Sequence, residues 1–173
     1  MYKNLLFTDV SLNPQLKLGM GACLLLPEDA INVNPDSIHK FEIENQIVVK
    51  KFENTSSTKL EIETVLWALE TVKLNIDKSG KPLRLYSDSQ CVCGLMARRQ
   101  KLEGTNFIGK SSGNILNHAE LYKEFYKLQR ELGFEVIKVV GHAPHSSHDT
   151  VHRIFSYVDS YVRNTFKEWL ARR

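Results

Sequence analysis

The strongest constraint on this chain is a change of apolar period near residue 55. Before it, three runs read as strands. They are "YKNLLFT" (2–8), "MGACLLL" (20–26), apolar on both faces, and "FEIENQIVVKKF" (41–52), partly alternating and rich in Ile and Val. After it, "STKLEIETVLWALETVKLNI" (57–76) sets Ile62, Val65, Leu66, Leu69, Val72 and Ile76 at helical spacing. A fourth strand, "LRLYS" (83–87), leads into a short helix from Ser89 to about Arg99. An amphipathic helix (115–133) closing on Gly133, a fifth strand, "FEVIKVV" (134–140), and a last helix (154–173) follow. The order β-β-β-α-β-α-α-β-α implies an α/β fold. Its sheet would be five-stranded and mixed, three antiparallel strands and then parallel ones, flanked by helices on both faces. In such sheets ligands gather beyond the carboxyl ends of the parallel strands.

With 173 residues, 42% hydrophobic and 25% charged, the chain suits one domain spanning 1–173. No apolar run approaches the ~20 residues that cross a bilayer, and the start, "MYKNLLFTDV", carries no cleavage pattern of small residues. The expectation is a soluble, cytoplasmic monomer with no membrane association and no obligate protein partner. Cys23, Cys91 and Cys93 make an odd count without a C-x-x-C pair, which speaks for reduced thiols and against a zinc or disulfide framework. A net charge of +3 permits a nucleic-acid partner without requiring one.

Four acids stand where acids are unexpected. Asp9 follows the apolar core of the first strand, and Asp88 ends the fourth in "LRLYSDSQ". Each also suits a turn or a helix cap. Glu61 fits a capping box with Thr58, yet at 3.6 residues per turn it shares a face with Val65, Ala68 and Val72, where a lone carboxylate is costly. Asp159 lies among Phe155, Val158 and Val162, with Arg163 available as an i+4 partner. Four carboxylates aimed at one crevice would repel one another, and a divalent cation would remove the conflict. Oxygen ligands and the lack of paired thiols favour Mg²⁺ over zinc.

The pieces "FTDVS", "TSSTKLEIETVLWALE", "LYSDSQCVCGL", "VIKVVGHAPHSS" and "YVDSYVR" resemble, in order, the motifs of type 1 ribonuclease H, across nearly the whole chain. The resemblance implies an RNase H-like domain that cleaves the RNA strand of RNA–DNA hybrids, with 5′-phosphate and 3′-hydroxyl products. It also implies that Asp9, Glu61, Asp88 and Asp159 hold two Mg²⁺ ions, with Mn²⁺ as a substitute. His142 stands where the family carries a histidine that assists proton transfer or product release. His145, His148 and His152 read as loop residues beside it, with a zinc cluster as the competing reading. Asp149 is a rival fourth carboxylate, but "VDSYVR" matches the family's last-helix motif and favours Asp159.

By the same motifs, Asn13, Ser56, Ser57, Thr58 and Gln90 match positions that contact the hybrid, whose 2′-hydroxyls face a wide minor groove. Turn and cap chemistry suits each of them equally. Arg98, Arg99 and Lys101 form a small basic cluster fit for phosphates, or a solvated helix end. Val10 replaces the glycine of many relatives. "EGTNFIGKSSGN" (103–114) stands in place of a long basic, Trp-rich handle, and no hybrid-binding module is expected before Asp9. Three other readings stay open: a resolvase-like nuclease of the same fold, a non-catalytic nucleic-acid-binding module, and a protein-interaction domain. A proofreading-type exonuclease would want D-x-E in the first strand, and "TDVSL" lacks it.

Overall fold

A computed structural model describes residues 3–76, 81–140 and 149–173. Strand β1 (Lys3–Asn13) pairs antiparallel with β2 (Leu18–Pro27), and β2 pairs antiparallel with β3 (Val48–Glu53). On its other side β1 pairs in parallel with β4 (Arg84–Ser87), which pairs in parallel with β5 (Glu135–Lys138). The sheet order is β3-β2-β1-β4-β5, the mixed sheet expected. The short helix α1 (Lys40–Glu44) precedes β3. Helix α2 (Ser57–Val72) follows it, α3 (Gln90–Gly104) and α4 (Ala119–Leu132) lie between β4 and β5, and α5 (Thr150–Ala171) closes the chain.

Side chains alternate across a strand, so the sheet divides the core in two. Leu6, Cys23 and Leu85 pack with Ile62, Val65 and Leu69 of α2, Val92 and Leu95 of α3, and Phe125 and Tyr126 of α4. On the opposite face Leu5, Phe7, Met20, Leu24 and Tyr86 meet Ile154, Phe155, Val158, Val162 and Phe166 of α5. Phe7 and Tyr86 stack at 4.7 Å between ring centroids, which locks β1 beside β4. Helix α4 ends on Gly133 at φ 65°, a left-handed cap that glycine adopts without steric cost.

Several boundaries differ from those read in the sequence. The third strand begins at Val48, not Phe41, because residues 40–44 are helical. The alternation of Ile43, Ile47 and Val49 misleads there. Ile43 on α1 and Ile47, after the turn that ends it, are both buried against the α5 face. Strand β1 runs through Asp9 to Asn13, so Asp9 lies within a strand rather than at a turn. Helix α5 starts at Thr150, capped by Asp149. The capping box does not form either: Ser56 is the N-cap of α2, and Glu61 sits in the second turn.

Helix α2 lies unusually close to β2. A Cβ at Gly21 would come within 2.2 Å of Thr64 Oγ1, and one at Gly19 within 2.5 Å of Leu60 Cδ2. These two contacts bracket Glu61 and press its stretch of helix onto the sheet. Among the described residues, no helix is long and apolar enough to cross a membrane.

Candidate active site

The strands bring two carboxylates side by side. The parallel register pairs Leu5 with Arg84, Leu6 with Leu85 and Phe7 with Tyr86. Two residues further along the chain stand Asp9, still within β1, and Asp88, just past the end of β4. Asp9 shares the α5-facing parity of Leu5 and Phe7, and α5 presents Asp159 from that layer. Glu61 arrives from α2 on the other face. The crevice therefore draws acids from both helical layers and from the two central parallel strands.

Asp9 is 7% exposed, and no hydrogen-bond donor reaches its buried Oδ2. Burial pushes its carboxyl well above the usual range. The Asp88 charge and Asp159, toward which a protonated Asp9 donates, push it further, and a backbone bond at Val10 opposes them. Glu61 is also raised, first by burial and then by Asp88, against a hydrogen bond from Ser89. Arg163 approaches Asp159 at 3.6 Å, so the i+4 partner foreseen for it exists beside the acidic neighbours.

In the sequence Ser89 simply opens the helix that follows the fourth strand. The hydroxyl does cap α3, accepting Val92 N–H at 3.2 Å, and it also donates to Glu61 Oε2 at 2.5 Å. The signal for the second role lay in three dimensions alone, since Glu61 and Ser89 are 28 residues apart.

Thr8, Asp9, Val10, Glu61, Ser87, Asp88 and Ser89 line a crevice of about 10 Å³, about the space of one water. Its donors are oxygens, and it contains a buried carboxylate oxygen without a donor beside two further acids. That is the chemistry a hard divalent cation satisfies. Among the described residues no three His, Cys, Asp or Glu side chains are already drawn into a ligand cage. Mutual repulsion between carboxylates opposes such a cage when no cation balances it.

None of the remaining predicted residues that the structure describes lines this crevice. Asn13 ends β1, where its Oδ1 accepts Leu16 N–H at 3.0 Å as a turn residue. Ser56 and Ser57 are exposed and Thr58 half-buried at the start of α2, and Ser56 makes no side-chain cap bond. Gln90 is exposed at the first position of α3. Arg98 and Lys101 are exposed on α3, Arg98 lying over the Tyr122 ring at 5.6 Å. Arg99 bridges to α4 instead, donating to Gln129 at 2.9 Å and to Glu103 at 3.3 Å. Asp149 accepts His152 N–H at 2.8 Å and contacts its ring at 2.8 Å, a structural duty at the head of α5. Burial would raise its carboxyl, but the bonds from His152 hold it below the usual range. His142, His145 and His148 lie outside the described residues.

Comparison with known proteins agrees with this architecture. A family model described as RNase H matches residues 2–154. No curated protein matches the chain significantly. Among solved structures, the RNase H domain of PFV superposes with a TM-score of 0.61 at 12% identity, covering 94% of this chain and 96% of that one. The native protease-reverse transcriptase of prototype foamy virus superposes with a TM-score of 0.64 at 13% identity, covering 92% of this chain and 20% of that one. The foamy viral enzyme in complex with an RNA/DNA hybrid gives 0.59 at 11% identity, covering 94% and 20%. At such identities the likeness is one of fold.

Proposed function

The chain belongs to the RNase H family, and on that premise we propose that it is an endoribonuclease hydrolysing the RNA strand of RNA–DNA hybrids. Its products would carry 5′-phosphate and 3′-hydroxyl ends. The observation that supports this reading is that Asp9 is acted on by both Asp88 and Asp159, and Glu61 by Asp88, where the parallel pairing of β1 and β4 ends. These four residues would hold two Mg²⁺ ions, with Mn²⁺ as a substitute. When bound, such ions supply Lewis-acid stabilisation to an in-line phosphodiester displacement.

The chain's own residues contribute position. The rigid Phe7–Tyr86 stack fixes the two strands that carry Asp9 and Asp88. Ser89 restrains Glu61, and Arg163 stands beside Asp159. Asn13, Ser56, Ser57, Thr58 and Gln90 offer short polar groups to riboses and phosphates, and Arg98 and Lys101 offer exposed charge to the backbone. Arg99, held by Glu103 and Gln129, would act more by shaping α3 than by direct contact. His142 is proposed on its motif alone as the group that passes a proton or aids product release.

The test is cleavage of labelled RNA–DNA hybrid with and without Mg²⁺, with duplex DNA and duplex RNA as controls. Hybrid-selective, Mg²⁺-dependent cutting that disappears in Asp88→Asn is expected. Equal cutting of duplex DNA would point to a resolvase-like nuclease. Hybrid binding without cutting would point to a non-catalytic module.

A further inference from the structure

Ser89 is 6% exposed, and its hydroxyl serves two elements at once. It accepts the Val92 N–H, closing the first turn of α3, and donates to Glu61 Oε2 on α2. Its own backbone N–H donates to Ser87 Oγ at 3.0 Å, which ties the turn back to the end of β4. A serine hydroxyl has one proton. With the Val92 N–H on its oxygen, that proton is committed to Glu61. The carboxylate is thereby restrained through one oxygen, near the positive end of a helix of 15 residues, where negative charge is favoured.

We propose that Ser89 is a positioning residue, fastening Glu61 to the N-terminus of α3 and so setting the cation affinity of the acidic crevice. The inference rests on the nuclease reading for the role of Glu61 as a ligand. Ser89 need not touch substrate. It fixes the direction of a group that would touch the cation, and outer partners of this kind set metal affinity as strongly as 10–100-fold.

Glycine is tolerated at an N-cap nearly as well as serine, so Ser89→Gly removes the donor with little harm to α3. Mg²⁺ binding is measured by calorimetry without nucleic acid on the wild type, Ser89→Gly, Ser89→Thr, Glu61→Gln and the Ser89→Gly/Glu61→Gln double variant. Circular dichroism confirms the fold of each. Ser89→Gly is expected to weaken Mg²⁺ about tenfold, Ser89→Thr to keep most of the affinity, and the hydroxyl to matter no further once Glu61 is Gln. The readout needs no substrate, so failure of the wild type to cut hybrid would count against the nuclease reading alone. Wild-type Mg²⁺ affinity in Ser89→Gly, or full additivity of the two substitutions, overturns the role given to Ser89.

Discussion

Asp9→Asn should make the cation-free protein more stable. In the native fold Asp9 is 7% exposed, with a buried oxygen that no donor reaches and two further carboxylates as neighbours. Leaving a buried acceptor unmatched costs about 1–3 kcal/mol, and more when it is charged. Asparagine keeps the shape, removes the charge and adds N–H groups that can donate to the neighbouring acids. A gain of about 2 kcal/mol raises Tm by roughly 4–8 °C in a domain of this size. The pH dependence has a definite sign. The folded carboxyl is raised above its unfolded value of about 3.9, so below that pH both states hold the proton and nothing is lost. As pH climbs from there through the folded value, the unfolded state releases its proton first and native stability falls. The advantage of Asp9→Asn should therefore be small near pH 4, grow toward neutrality, and shrink again in saturating Mg²⁺ as the cation balances Asp9. Thermal denaturation across pH, in EDTA and in Mg²⁺, measures all three. An unchanged or lower Tm for Asp9→Asn in EDTA at neutral pH would refute the reasoning.

Gly21→Ala would place a methyl 2.2 Å from Thr64 Oγ1. It should lose about 1–3 kcal/mol by overpacking and, by lifting α2, reduce hybrid cleavage, both read in one preparation by thermal melting and nuclease assay. Asp149→Ala removes the cap of α5 and should cost about 1 kcal/mol at neutral pH. That contribution is present above the unfolded carboxylate pKa and fades as pH falls through the lower folded value. Cleavage per folded molecule should survive Asp149→Ala and be lost in Asp159→Asn, and the reverse pattern would exchange their roles. Burial pushes the Cys23 thiol up to about 12, so a disulfide reagent should leave it unmodified until the protein unfolds. Its rapid labelling in the native state would contradict the packing of β2 under α2.

The sequence made the sheet legible because its apolar runs are long and their periods differ. β1, β2 and α2 each bury several residues of one pattern. Legibility failed where a short pattern fits two periods. Residues 41–47 alternate like a strand, yet Ile43 reaches the α5 face from a short helix and Ile47 from the turn that follows it. Local chemistry was ambiguous at Thr58 and Glu61 too: their capping-box spacing marks a helix start at Thr58, whereas Ser56 is the N-cap. Asp88 stood out because an apolar strand ended on it. Asp9 was harder to place, since the strand continues through it and its cost appears only when Asp88 and Asp159 are brought alongside.

The contrast between Asp149 and Asp159 supports the proposal of Asp159 for the fourth position. Both acids belong to one helix, ten residues apart, and either could be drawn as a ligand from the sequence. An N-cap is fixed by the backbone it serves. Asp149 holds the backbone N–H and the ring of His152 through its Oδ1, and its carboxyl is lowered by those bonds. Asp159 lies mid-helix, where the backbone N–H groups are already bonded within the helix, so its carboxylate is left to side-chain partners. Those partners are Arg163 on one side and Asp9 on the other. An acid that faces another acid across a sheet–helix boundary has a use for a shared cation, and an acid that caps a helix has none. Substituting Asp159 should therefore change how Mg²⁺ alters the melting temperature, whereas substituting Asp149 should lower that temperature equally with and without the ion.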